Sequence, residues 1–384
     1  MQPPQPLIGV GLLGYAFMGK AHSIGYRDVP VVAPPGVPWP RLVSIYGRTE
    51  APLREAQRRY GWEKAVTDWR RLIDDQEIQL LDNSGPNQIH AEPVIAAAEA
   101  GKHVYCEKPL GATVDEAFRM WSTVERAKVQ HMCAFNYRFI PALQLAREMI
   151  AAGEIGQVYH YRSNFLLSSA LQENRTPNWR DTGTSGGGAL GDLGAHHIDL
   201  SRFLIGSEPR RAQAVTRIVI PESGAGEAIQ TDDLFAAILE YENGCVGVLE
   251  ASRVAGGHLV TSRVEIDGSR GSIQFSLQNL NQLSVAGSDR AFRSIPVLRN
   301  GDPYQTNWFP PGHPLGWVDT FSHEAIRLLS AIAGLHRVDP IGATFRDGYF
   351  CAEIVAAIEN AARTGAAAEI RYRDITGESK PETE

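Results

Sequence analysis

The sequence predicts an α/β protein: an N-terminal Rossmann-type doubly wound parallel sheet, then a C-terminal α/β domain with a large, mostly antiparallel sheet. Three observations carry this expectation. The chain opens on an apolar run that ends in a glycine-spaced turn, 7–19. Strand-like apolar runs then alternate with helical stretches as far as Cys106, the pattern of a parallel sheet with crossover helices. Beyond Gly153 strand-like segments become frequent, and from 212 to 275 they follow one another without helices between them, as in antiparallel sheets.

The 384 residues suffice for two domains. Hydrophobic residues make up 43% and charged residues 21%, the balance of a globular chain that can bury a core. The net charge of -7, with no basic stretch, excludes the usual footprint of a nucleic-acid binder. No apolar run reaches the roughly 18 residues of a membrane helix. The opening MQPPQPLIGV has no basic start and no long apolar stretch, so it does not read as an export signal, and a cytoplasmic protein is expected. Cys106, Cys133, Cys245 and Cys351 are far apart and form no CxxC pair. Reduced thiols are expected rather than a zinc site.

The run LIGVG at 7–11 reads as a buried parallel strand. From Gly14 to Gly19 the spacing is G-x-A-x-x-G. This is the dinucleotide fingerprint with Ala16 at its middle position, the smallest side chain that still lets backbone approach a pyrophosphate. The following helix start offers N–H groups and a positive dipole end. Gly11, Gly14, Tyr15, Ala16, Phe17 and Met18 are thus candidate cofactor contacts. A second strand is expected at 41–46, a helix at 51–60, a third strand at 79–83, a helix at 90–100 and a strand at 103–106. The Pro-rich stretch 31–40 reads as a surface loop. The end of the second strand carries no carboxylate for an adenosine ribose but Gly47 and Arg48. Arg48 could face a 2′-phosphate, which leans the cofactor toward NADP, or lie in solvent with NAD in use. Pro86, Asn87 and His90 follow the third strand and are cofactor candidates or caps of the next helix.

In the second part, strands are expected at 158–165 and 212–220. Two more, 234–241 and 245–252, flank Asn243-Gly244, a strong hairpin signal. Segments 264–267 and 272–275 flank Gly268 and Gly271. Helices are expected at 190–204, 318–333 and 347–364. The predicted boundaries are 1–134 and 135–376, with a fraying tail at 377–384. A sheet with helices on one side exposes its other face, so a homo-oligomer is expected.

Several segments together resemble one family: GLLGYAFMGKAH, SGPNQIHAE, AGKHVYCEKPL, FNYRFIPALQLAREMI and GGGALGDLGAHHIDLSRFLIG. They look like the glucose–fructose oxidoreductase / inositol dehydrogenase / MocA (Gfo/Idh/MocA) family. The GKAH, FNYR and GHPLGW segments are most similar to its sugar-active members, the levoglucosan dehydrogenase subgroup among them. The resemblance implies hydride transfer between NAD(P) and a secondary alcohol of a sugar, sugar derivative or cyclic polyol, and a homodimer or homotetramer.

It also implies site residues. Lys108, in Glu107-Lys108-Pro109, follows a parallel strand at the end where such sheets bind ligands. A lysine there can stabilise negative charge on a reacting oxygen, although read alone it could be a solvated surface lysine. Glu107 and Lys108 join the cofactor candidates. Asp192 and His196 are four apart in the predicted helix 190–204, hence on one face. Histidine suits proton acceptance, so Lys108, Asp192 and His196 are the implied catalytic set. His197 lies on the stripe of Leu190, Leu193, Leu200 and Leu204 and reads as structural. Asn136, Tyr137, Arg138, Trp179 and Arg180 are implied substrate contacts or domain packing, alongside Lys108, Asp192 and His196. No metal is expected, because adjacent histidines on a helix diverge by about 100°. Two other functions stay open: a glycosidase acting by transient oxidation at C3, and a non-catalytic sugar or nucleotide sensor.

Overall fold

A computed structural model describes residues 6–172, 179–181, 183, 186–223 and 226–375, and element counts below refer to these. The chain divides into two compact units, Met1–Ile140 with Tyr304–Tyr349, and Pro141–Pro303 with Phe350–Glu384.

The first unit holds strands β1 (Leu7–Leu13), β2 (Trp39–Tyr46), β3 (Lys64–Val66), β4 (Leu80–Asn83), β5 (His103–Glu107) and β6 (His131–Ala134). They pair in parallel in the order β3-β2-β1-β4-β5-β6. The order reverses between β1 and β4, the crevice where such sheets bind dinucleotides. Helices α1 (Phe17–Val32), α2 (Glu50–Tyr60), α3 (Arg70–Asp74), α4 (Ala91–Glu99) and α5 (Val114–Ala127) provide the crossovers.

Two expectations need correction. The strand at 80–83 is the fourth, because β3 is a three-residue edge strand too short to show a period. The predicted loop at 31–40 narrows, since α1 continues through Pro30 to Val32 and β2 begins at Trp39.

A larger correction concerns the boundary. Residues 135–140 and 304–349 belong to the first unit, not the second. That stretch contains α8 (Gln305–Trp308) and α9 (Asp319–Ile332), following α6 (Pro141–Ala151) and α7 (Ala195–Ile205) in the chain. The reason is packing. Ala325, Ile326, Leu328 and Leu329 of α9 share one buried cluster with Tyr26, Val29 and Val32 of α1. A Cβ on Gly25 would lie 2.8 Å from the Phe321 carbonyl carbon, so the glycine permits this approach.

The second unit holds β7 (Val158–Leu166), β8 (Pro209–Arg217), β9 (Leu234–Tyr241), β10 (Val246–Ser252), β11 (Thr261–Gly268), β12 (Ser272–Ser276), β13 (Gln282–Ala286), β14 (Phe292–Pro296) and β15 (Ala368–Glu369). Their order is β14-β13-β12-β11-β7-β10-β9-β8-β15. Every pairing is antiparallel except β7 with β10. The Asn243-Gly244 hairpin forms as expected, with Val246 opposite Glu240 and Gly244 at φ +86°. Helices α6 and α7, with the Phe350 end of α10 (Phe345–Thr364), complete this unit. Along β9, Phe235, Ala237, Leu239 and Tyr241 are buried while Ile238 is exposed, the period of a sheet covered on one face. The predicted tail at 377–384 lies outside the described residues.

Candidate active site

The cofactor cradle is built by the first unit. Gly14 adopts φ +103°, and a Cβ there would fall 2.9 Å from the Ser84 carbonyl oxygen. The turn is tied to β2 by Gly14 N–H donating to Tyr46 O at 3.1 Å. Gly19 packs on the same turn, where a Cβ would meet Gly14 O at 2.3 Å. Ala16 precedes α1 with no side-chain cap, and the first turn of the helix holds no acid. Such a helix start can donate to phosphate oxygens. Ala16 and Phe17 are exposed, Tyr15 and Met18 are half-buried, and Gly11 is buried in β1. The ring of Tyr15 covers Gly47 so closely that a Cβ there would overlap it. Arg48 is exposed. A glycine cradle, an uncapped helix start and the β1/β4 crevice together fit a dinucleotide.

The ends of β4 and β5 carry buried polar groups. His90, expected to meet cofactor, is fully buried. Its Nε2 faces Gly85 O at 3.0 Å, and its Nδ1 faces Pro109 O at 3.0 Å and Leu110 O at 3.3 Å. Asn87 is also buried, while Pro86 is half-buried. The Lys108–Pro109 peptide is cis, and Lys108 is half-exposed. The Glu107 carboxylate turns inward instead of toward the crevice. It accepts from Lys108 N–H at 3.0 Å and from His22 Nε2 at 3.1 Å.

Sequence reading missed His22 and its other partner, Asp82. The His22 ring is buried with Nδ1 3.0 and 2.9 Å from the two Asp82 oxygens, and Tyr26 Oη–H donates to Asp82 at 2.9 Å. Burial opposes charge on this ring, but Asp82 and then Glu107 outweigh it and push His22 up to about 10. The available signal was a carboxylate inside the apolar strand LLDN, which needs a buried partner.

In the second unit the helix expected at 190–204 begins as a π-helical turn, Ala189–Gly194, before α7. Asp192 therefore lies on a wider turn than plain α spacing implies. Across 188–205, Asp192 and His196 are the two positions that are not buried. His197 is buried with Nε2 2.9 Å from Ser262 Oγ, and burial pushes it down to about 3. Its neutral, structural place agrees with the sequence reading.

Trp179 and Arg180 form a short 3-10 turn with Asp181. The Arg180 guanidinium covers the Trp179 ring at 4.1 Å, and its Nε lies 3.2 Å from Asp192 Oδ2. The turn is clamped from behind. Arg253 pairs with Asp181 and Asp233, each at 3.2 Å, and Thr231 Oγ1 donates to Arg180 O at 3.1 Å.

Asn136, Tyr137 and Arg138 depart from expectation: they are buried in the first unit. Asn136 Nδ2 donates to Thr320 Oγ1 at 3.1 Å, and Arg138 pairs with Asp347 at 3.2 Å. The guanidinium of Arg138 has an internal role.

A dinucleotide cradle beside a lysine, on a doubly wound sheet, defines an oxidoreductase class, and comparison specifies it. Residues 7–135 match the family described as "Oxidoreductase family, NAD-binding Rossmann fold", and residues 143–274 match "GFO/IDH/MocA C-terminal domain". Levoglucosan dehydrogenase of Pseudarthrobacter phenanthrenivorans is 38% identical, over 93% of this chain and 96% of that one. The solved structure of a levoglucosan dehydrogenase in complex with NADH and levoglucosan superposes with TM-score 0.91 at 37% identity, covering 95% of this chain and 99% of that one. An oxidoreductase domain protein from Kribbella flavida superposes with TM-score 0.90 at 35% identity, covering 95% and 100%. The chain belongs to the Gfo/Idh/MocA family of NAD(P)-dependent oxidoreductases.

Proposed function

We propose that the protein is a dehydrogenase that oxidises a secondary hydroxyl of a monosaccharide or anhydrosugar, with Lys108, Asp192 and His196 as the acting residues. The observation that carries this is the exposure pattern of 188–205. A carboxylate and an imidazole are kept partly exposed there on an otherwise buried helix, where packing alone would favour apolar side chains. The relative whose complex contains levoglucosan supports a pyranose-like ligand.

A dinucleotide held by the Gly14–Gly19 turn would supply the hydride acceptor. Lys108 donates a hydrogen bond to the reacting hydroxyl and stabilises its developing negative charge. His196 accepts the proton. Asp192, oriented by Arg180, accepts hydrogen bonds from the sugar. For the cofactor we infer NAD(H), on the strength of the relative's NADH complex. This reverses the lean toward NADP that Arg48 suggested. The uncovered face of the second-unit sheet, with exposed Val215, Ile238, Val246 and Val248, supports a homo-oligomer. A single 42.0 kDa species in analytical ultracentrifugation at micromolar concentration would refute that assembly.

The deciding assay is a panel of sugars, anhydrosugars, glycosides and inositols with NAD and NADP separately. Net reduction of cofactor with a sugar supports the reading. Product release without net reduction, or no turnover of any alcohol, overturns it.

A further inference from the structure

Lys108 has a long, flexible stem, so the place of its ammonium depends on how firmly its backbone is held. The structure holds that backbone on both sides with buried histidines. On one side, His22 of α1 lies between two carboxylates, Asp82 of β4 and Glu107 of β5, with contacts of 2.9 to 3.1 Å. Set between two carboxylates that raise its pKa to about 10, the ring donates from both nitrogens as an imidazolium. The second oxygen of Glu107 then accepts from Lys108 N–H at 3.0 Å. On the other side, the His90 ring spans Gly85 O and the Pro109 and Leu110 carbonyls. Tyr105 stacks on the His22 ring at 4.8 Å and Phe321 tilts against it at 5.5 Å, which keeps water out.

This is a costly way to fill a core. Removing an imidazole and two carboxylates from water carries a desolvation penalty that well-packed apolar side chains would avoid. Its distinguishing product is a defined geometry at 107–110. We propose that His22, through Glu107, and His90, through the Pro109 and Leu110 carbonyls, are positioning residues that set the place of the Lys108 ammonium. The proposal rests on the reading of Lys108 as the acting lysine.

The test compares Glu107→Ala, Glu107→Gln, His22→Gln and Lys108→Met as full-length proteins. Each is read for kcat, alcohol KM, NADH Kd by fluorescence, and Tm. Misplacing the lysine in Glu107→Ala lowers kcat by on the order of 10- to 100-fold. NADH Kd stays within about twofold, since the carboxylate does not face the cofactor. Glu107→Gln restores kcat to within about threefold of wild type. Its amide oxygen still accepts from Lys108 N–H, and its amide N–H donates to a His22 ring that is then neutral.

Wild-type kcat in Glu107→Ala overturns the brace, as does a kcat loss matched by equal loss of NADH affinity. A Glu107→Gln enzyme as slow as the alanine variant also overturns it. If Glu107→Ala does not fold, His22→Gln is judged by the same kcat and Kd criteria. A fully active Lys108→Met instead overturns the functional reading. An inactive Lys108→Met beside a fully active Glu107→Ala overturns the brace alone.

Discussion

Arg180 Nε sits 3.2 Å from Asp192 Oδ2, while the same guanidinium lies 4.1 Å above the Trp179 ring. The contact orients a partly exposed carboxylate by a side chain whose backbone turn is clamped through Arg253 and Thr231. Replacing Arg180 by Ala removes this contact to the carboxylate. A charge-assisted hydrogen bond is worth about 1.5–3 kcal/mol, so kcat/KM for the sugar should fall about 10- to 100-fold. NADH affinity should stay unchanged. Steady-state kinetics on Arg180→Ala and Asp192→Asn check this, and equal activity of both variants with wild type would refute it.

His196 and His197 are neighbours with opposite fates. His196→Ala should lower kcat by on the order of 10²- to 10⁴-fold, the usual contribution of a general base, with a near-native Tm. His197→Ala should show the reverse: a lower Tm from a core cavity at the Ser262 contact and a smaller loss of turnover per folded molecule. Calorimetry beside kinetics distinguishes them.

Stability should depend on pH in two opposed ways. His197 is neutral in the fold, with its pKa pushed by burial from 6.5 down to about 3. The unfolded chain therefore binds the extra proton first, and stability is lost as pH falls below 6.5. The loss attributable to His197 is about 2 kcal/mol at pH 5. His22 works the other way. Its folded pKa is raised to about 10, so its stabilisation is complete below 6.5 and is lost as pH rises toward 10. Tm measured from pH 4 to pH 10 should form a dome. His22→Gln should flatten its alkaline side, and His197→Gln its acidic side.

Gly25 is where α1 meets α9. A Cβ there would sit 2.8 Å from Phe321 backbone atoms, and backbone yields less readily than a flexible side chain. Gly25→Val should cost about 1–3 kcal/mol as an overpacking change. Chemical denaturation of the purified variant measures it, and an unchanged midpoint would refute the contact.

Arg48 follows β2 and is exposed. Replacing it by Ala should lower kcat/KM for NADP by about 10-fold and leave that for NAD within about twofold, because a guanidinium pairs with a 2′-phosphate that NAD lacks. An equal drop for both cofactors would place Arg48 over the adenine instead.

Much of this architecture was legible before any coordinates. Alternating apolar runs located four of the six parallel strands to within two residues, missing β3 and β6, and Asn243-Gly244 announced its hairpin, because these are local signals of period and turn chemistry. β3 escaped because three residues carry no period. The π turn at Ala189–Gly194 escaped because its Ala-Leu-Gly composition is equally at home in an α-helix.

What the sequence by itself determined is the inventory and its order: a glycine turn after β1, a lysine after β5, and an acid and histidine on one later helical stretch. Only the tertiary structure decided which polar groups face inward. It enclosed Glu107, His90 and Arg138 and left Asp192 and His196 partly exposed, and it returned α9 to the first unit. Burial is a property of neighbours far apart in the chain. Asp82 and His22 meet across 60 residues, and Asn136 and Thr320 across 184, separations at which neither periodicity nor spacing carries information.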